Sequence, residues 1–126
     1  MARKKILLVD DAKTVILMEQ MILNRPDLQL LTANDGDQAI ELALAETPDL
    51  ILLDVVMPTL TGIEVCQRLR SEPQTKATPI IMVTTRGEEQ YIAAARAAGC
   101  TDYVTKPLDA AQLLQKVRSL LGLKDA

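Results

Sequence analysis

Residues 50–58 read Leu-Ile-Leu-Leu-Asp-Val-Val-Met-Pro: an uninterrupted aliphatic run that ends on a carboxylate and is then stopped by proline. A run this short, with no polar alternation, is the mark of a strand buried on both faces, as in a parallel sheet. The pattern recurs along the chain. Ile6 to Val9 runs into Asp10-Asp11, Ile80 to Val83 runs into Thr84-Thr85, and the weaker pair Tyr103-Val104 leads to Lys106-Pro107. Leu28 to Ala33 makes a fifth, less pronounced strand.

Between these runs lie segments of helical spacing. Thr14 is placed to cap a first helix carrying Val15, Met18 and Ile22, closed by Arg25-Pro26-Asp27. Asp37 to Glu46 makes the second helix, and Ile63, Cys66 and Leu69 mark a third that ends near Glu72-Pro73. The fourth, Glu88 to Ala98, is alanine-rich with Gly99 just beyond it. In the fifth, Asp109 and Gln112 have capping-box spacing, Leu108 and Leu113 stand where a hydrophobic staple would, and Gly122 ends the helix. Five alternations of strand and helix predict an α/β fold, a doubly wound five-stranded parallel sheet with five helices. The flavodoxin-like strand order 2-1-3-4-5 fits, and it places ligands beyond the carboxyl ends of the strands where the winding reverses.

Composition agrees with one domain over residues 1–126: 48% of the 126 residues are hydrophobic. Fourteen Lys plus Arg against seventeen Asp plus Glu give a net charge of -3, which offers no attraction to nucleic acid or anionic lipid and leaves a protein partner or small ligand. Cys66 and Cys100 form no C-x-x-C pair and read as small apolar residues of a reducing compartment. Arg3, Lys4 and Lys5 precede an apolar run too short for a signal peptide or membrane span. The chain has no histidine, so phosphohistidine or histidine-base chemistry must come from a partner.

The polar residues that end the strands fall on one edge of this sheet: Asp10-Asp11, Asp54, Thr84 and Lys106. Each has an ordinary reading by itself, as a helix approach, a turn residue, a strand end or a surface cation. Their common edge is what argues for a site. Three carboxylates against one lysine repel each other and raise one another's pKa values. An all-oxygen set points to Mg²⁺ as the ion that relieves this.

Asp10-Asp11, the segment Asp54-Val55-Val56-Met57-Pro58 with Gly62 following, Thr84, and Tyr103-Val104-Thr105-Lys106-Pro107 together resemble the receiver domains of two-component response regulators. The resemblance extends from about Lys5 to Leu121 and is nearest to stand-alone, CheY-like receivers. It implies a cytoplasmic signalling switch rather than an enzyme turning over an external substrate. Asp54 would take a phosphoryl group from a histidine kinase or phosphotransfer protein. Mg²⁺ would be held by Asp11, Asp54 and the Val56 backbone carbonyl, with Asp10 acting through bound water. Lys106 and Thr84 would bind phosphoryl oxygens, and Lys106-Pro107 would be cis. Thr84 and Tyr103 would carry the change to a face made by helix 4, strand 5 and helix 5, where Tyr91 and Arg96 are candidate anchors for a downstream protein. Val56 and Arg86 would flank the approach of hydrolytic water and set the phosphoryl lifetime.

Rival readings fare worse. A haloacid-dehalogenase phosphatase would want a second Asp where Val56 stands. A flavodoxin needs a hydroxyl-rich phosphate loop where Asp10-Asp11-Ala12-Lys13 stands, and no P-loop motif occurs. A receiver-shaped module acting without phosphorylation, or a receiver belonging to a longer regulator, stays open from sequence.

Overall fold

The computed structural model describes residues 3–85 and 90–123. Five strands, β1 (Lys4–Val9), β2 (Leu28–Ala33), β3 (Leu50–Asp54), β4 (Ile80–Thr85) and β5 (Asp102–Lys106), alternate with five helices, α1 (Lys13–Ile22), α2 (Gly36–Glu46), α3 (Gly62–Arg70), α4 (Gln90–Ala97) and α5 (Ala110–Leu121). The sheet is parallel throughout, in the order β2-β1-β3-β4-β5. This is the doubly wound, flavodoxin-like order expected from sequence.

Alternation along the central strands divides the core into two layers. Leu7, Val9, Ile51, Leu53, Ile80 and Met82 pack with α2, α3 and α4 on one face. Ile6, Leu8, Leu50, Leu52, Ile81, Val83 and Val104 pack with α1 and α5 on the other. Both faces are dry, which is why these strands show no polar alternation. Among the described residues three helices begin on side-chain caps: Asp35 accepts from the Gln38 N–H, Asp109 accepts from the Gln112 N–H, and Thr61 with Glu64 completes a reciprocal capping box.

The first helix departs from expectation twice. Ala12, not Thr14, is its N-cap and offers no side-chain bond; the Ala12 N–H is taken instead by Asp10 Oδ1 at 2.9 Å. The inward stripe runs through Ile16, Glu19 and Leu23, leaving Met18 exposed. Apolar residues lie on almost every side of α1, so spacing did not select the stripe. Glu88, the expected start of the fourth helix, lies outside the described residues. Among those described, no helix is long and apolar enough to cross a membrane.

Candidate functional site: an acid pocket at the strand ends

β1, β3, β4 and β5 deliver their last residues to one edge of the sheet, as the sequence implied. Asp10 follows Leu8 by two, Asp54 follows Leu52 by two and Lys106 follows Val104 by two, so all three side chains leave on the α1–α5 face. There they meet. Lys106 Nζ lies 3.0 Å from Asp10 Oδ2 and 3.2 Å from Asp54 Oδ1. Asp10 and Asp54 are buried, Asp11 is exposed at the mouth, and one carboxylate oxygen from each of the three lies within 4.8 Å of the others.

The charges do not balance. Burial, then the neighbouring charge of Asp10, push the Asp54 carboxyl up to about 7 against the opposing pull of Lys106. For Lys106 burial works against the charged form, but the hydrogen bond to Asp10 and the charge of Asp54 outweigh it and raise its pKa. One ammonium thus faces two buried carboxylates and a third at the mouth, and the atoms they offer a cation are all oxygens. That donor set fits a hard divalent cation such as Mg²⁺.

Thr84 follows Met82 by two and leaves on the opposite face, with Tyr103. It is fully buried and its Oγ1 has no hydrogen-bond partner among the described residues. A buried hydroxyl without a partner is costly unless a ligand supplies one. Val56, two residues beyond Asp54, is 49% exposed. Backbone packing holds the segment between them: the Val55 N–H donates to the Val83 carbonyl at 3.2 Å, and the Gly62 N–H to the Val55 carbonyl at 2.7 Å. Any Cβ at Gly62 would overlap the Asp54 carbonyl, so the close approach of α3 to this loop requires glycine. Lys106-Pro107 is cis. Tyr91 and Arg96 are both exposed on α4, whereas Arg86 lies outside the described residues.

One residue near the site escaped the sequence reading. Glu19 is the single fully buried residue of α1, and its Oε1 has no hydrogen-bond partner among the described residues. Burial first, then the charge of Asp10, push its carboxyl up to about 8. Its one signal was a carboxylate at the spacing of Ile16 and Leu23, obscured by the apolar residues on every side.

Known proteins similar to this chain are numerous. The chain is 41% identical over 118 residues to the alkaline phosphatase synthesis regulator PhoP of Bacillus subtilis, matching 94% of this chain and 48% of that protein. It therefore spans about half the length of that relative and of others like it. It is also 36% identical to PilH of Pseudomonas aeruginosa, covering 94% of this chain and 98% of PilH. Among solved structures, the receiver domain of the P. aeruginosa sensor histidine kinase PA1611, with a magnesium ion coordinated in its active site cleft, superposes with a TM-score of 0.87. The two are 27% identical, with 96% of this chain and 99% of that one covered. Residues 6–118 match the family described as the response regulator receiver domain, and with its acid pocket, lysine and buried threonine in the places just described, the chain belongs to that family of two-component signalling domains.

Proposed function

We propose that the protein is a phosphorylation switch in which Asp54 accepts a phosphoryl group from a partner's phosphohistidine. The observation that carries this reading is the buried Asp54 carboxylate, held at 3.2 Å by Lys106, with the buried Thr84 hydroxyl, which has no hydrogen-bond partner among the described residues, at the end of the adjoining strand. In the transfer, an Asp54 oxygen forms the new O–P bond while the donor's N–P bond breaks and its electron pair returns to the imidazole. Asp11, Asp54 and the Val56 carbonyl would hold Mg²⁺, with Asp10 behind them. Bound there, the ion supplies positive charge to the transferring group. Lys106 keeps Asp54 oriented before transfer and afterwards donates to a phosphoryl oxygen. The Thr84 hydroxyl gains the partner it lacks by donating to another.

That new bond draws Thr84 towards the phosphoryl group, and Tyr103, on the same face, follows into the space, altering the surface made by α4, β5 and α5 for a downstream protein. In this reading the chain turns over no external substrate. It works in the cytoplasm, in keeping with its two free cysteines. Intact-mass measurement after incubation with Mg²⁺ and a small acyl phosphate tests the proposal. Gain of one phosphoryl group in wild type and none in Asp54→Asn is expected; no gain in wild type would leave a binding module acting without phosphorylation.

A further inference from the structure

The guanidinium of Arg96 lies over the Tyr103 ring, its Cζ 5.5 Å from the ring centroid. Tyr103 is half-buried, packed beneath α4 against the core layer of Met82 and Ala95, while Arg96 itself is exposed. The neighbouring carboxylate of Asp102 is already held by Lys116 Nζ at 2.7 Å. Arg96 adds to the positive field at Asp102, but its guanidinium stands over the Tyr103 ring. On the other side of Tyr103 stands Thr84. Tyr103 pairs in register with Met82 and Thr84 with Thr105, so the two side chains are diagonal neighbours on one face, within reach of an aromatic ring.

We infer that Arg96 is a positioning residue that latches Tyr103, through a cation–π contact, in the orientation of this structure, in which the ring lines a surface cavity with Arg96 and Thr105, and that this outward orientation is the resting one. The inference rests on the switch reading above and adds the element that sets its resting bias. A ring turning towards Thr84 must leave the guanidinium. For a contact at the protein surface, the loss shifts the equilibrium between the two orientations by about two- to fivefold. The latch is thus weak enough for phosphorylation to overcome and strong enough to lower the inward population beforehand. Reciprocally, a partner that binds Arg96 away from the ring favours the inward state.

The test uses the full chain in a Tyr91→Phe background, where Tyr103 is the sole tyrosine. The nuclear Overhauser contact between the Tyr103 ring and the Thr84 methyl, measured without phosphodonor, reports the inward population. Arg96→Met, with similar reach and no charge, should raise it about two- to fivefold. Arg96→Lys should restore most of the outward bias, with the urea midpoint unchanged in both. A contact of equal intensity in wild type and Arg96→Met overturns the inference, and so does Arg96→Lys behaving as Arg96→Met. Failure of the phosphorylation reading would look different: no mass gain at Asp54 in any variant, with the Tyr103 response to Arg96→Met retained.

Discussion

Lys106 and Asp54 face each other at 3.2 Å across a pocket in which Asp10 presses on the same ammonium from 3.0 Å. The lysine is therefore a structural counter-ion to both carboxylates, whatever it does in the proposed transfer. Lys106→Met should leave two buried carboxylates facing one another, costing about 3 kcal/mol at pH 8 without divalent metal. At pH 5 the loss should be smaller. Asp54, raised to about 7, is largely neutral there and no longer repels Asp10. Urea unfolding of both proteins at the two pH values checks this, and an equal loss at both would refute the electrostatic account.

Glu19 makes a prediction of the same kind with the opposite sign for its removal. Its carboxyl, normally near 4.5, is pushed up to about 8, so between those values the folded chain keeps a proton that the unfolded chain releases. Stability contributed by the neutral form is full below about 4.5 and is lost as pH rises towards 8. Glu19→Leu should stabilise the protein by more than about 2 kcal/mol at pH 8 and by much less at pH 5. Thermal unfolding across this range decides it; a pH-independent difference would mean the gain comes from packing alone.

The metal assignment is exposed to a simple measurement. Asp11 stands at the mouth of the pocket and shares no hydrogen bond with Lys106, so removing it subtracts a ligand with little effect on the fold. Asp11→Ala should weaken Mg²⁺ binding by at least about tenfold in calorimetry while the melting temperature of the metal-free protein holds. Unchanged affinity would place the ion elsewhere.

Gly62 tests how α3 supports the acceptor. Because a Cβ there meets the Asp54 carbonyl and the Met82 methyl, Gly62→Ala must push the 54–58 loop or the helix start outward. A cost of about 1–3 kcal/mol is expected. Phosphorylation of Asp54 should slow as well, which the equivalent Gly99→Ala, far from the pocket, should not reproduce.

How much of this was legible beforehand follows from where each residue sits. β2 was read to its last residue, since Leu28 to Ala33 is bounded by Pro26-Asp27 and Asn34-Asp35. β5 offered only Tyr103 and Val104, and extends to Asp102–Lys106 because β4 supplies partners along its length. The placement of Asp10, Asp54, Thr84 and Lys106 was readable because each stands at a strand end, where alternation and winding fix its position. The face of α1 was not, since Val15 to Leu23 has apolar residues on all sides and the sheet, not the helix, chooses which to cover. A glutamate within a helix ordinarily faces water, so nothing local marked Glu19 as buried. The Arg96–Tyr103 contact joins a helix to a strand and becomes visible only once both are placed.

The last prediction concerns the lifetime of the phosphoryl group. If Asp54 is phosphorylated as proposed, hydrolysis requires water in line behind the phosphorus, on the side opposite the Asp54 oxygen, and the residue two positions beyond the acceptor would stand beside that approach. Here it is Val56, 49% exposed, which presents apolar surface to incoming water and has no donor or acceptor with which to orient it. Its side chain carries no core packing, so replacing it leaves the fold intact and isolates the effect on water. Val56→Asn should therefore accept phosphoryl as readily as wild type and lose it several-fold faster, because a side-chain amide can hold a water in line where valine cannot. Following the decay of phosphorylated protein by intact mass after the donor is removed gives the rate directly. An unchanged or slower decay would show that the exposed valine does not govern access to the phosphorus.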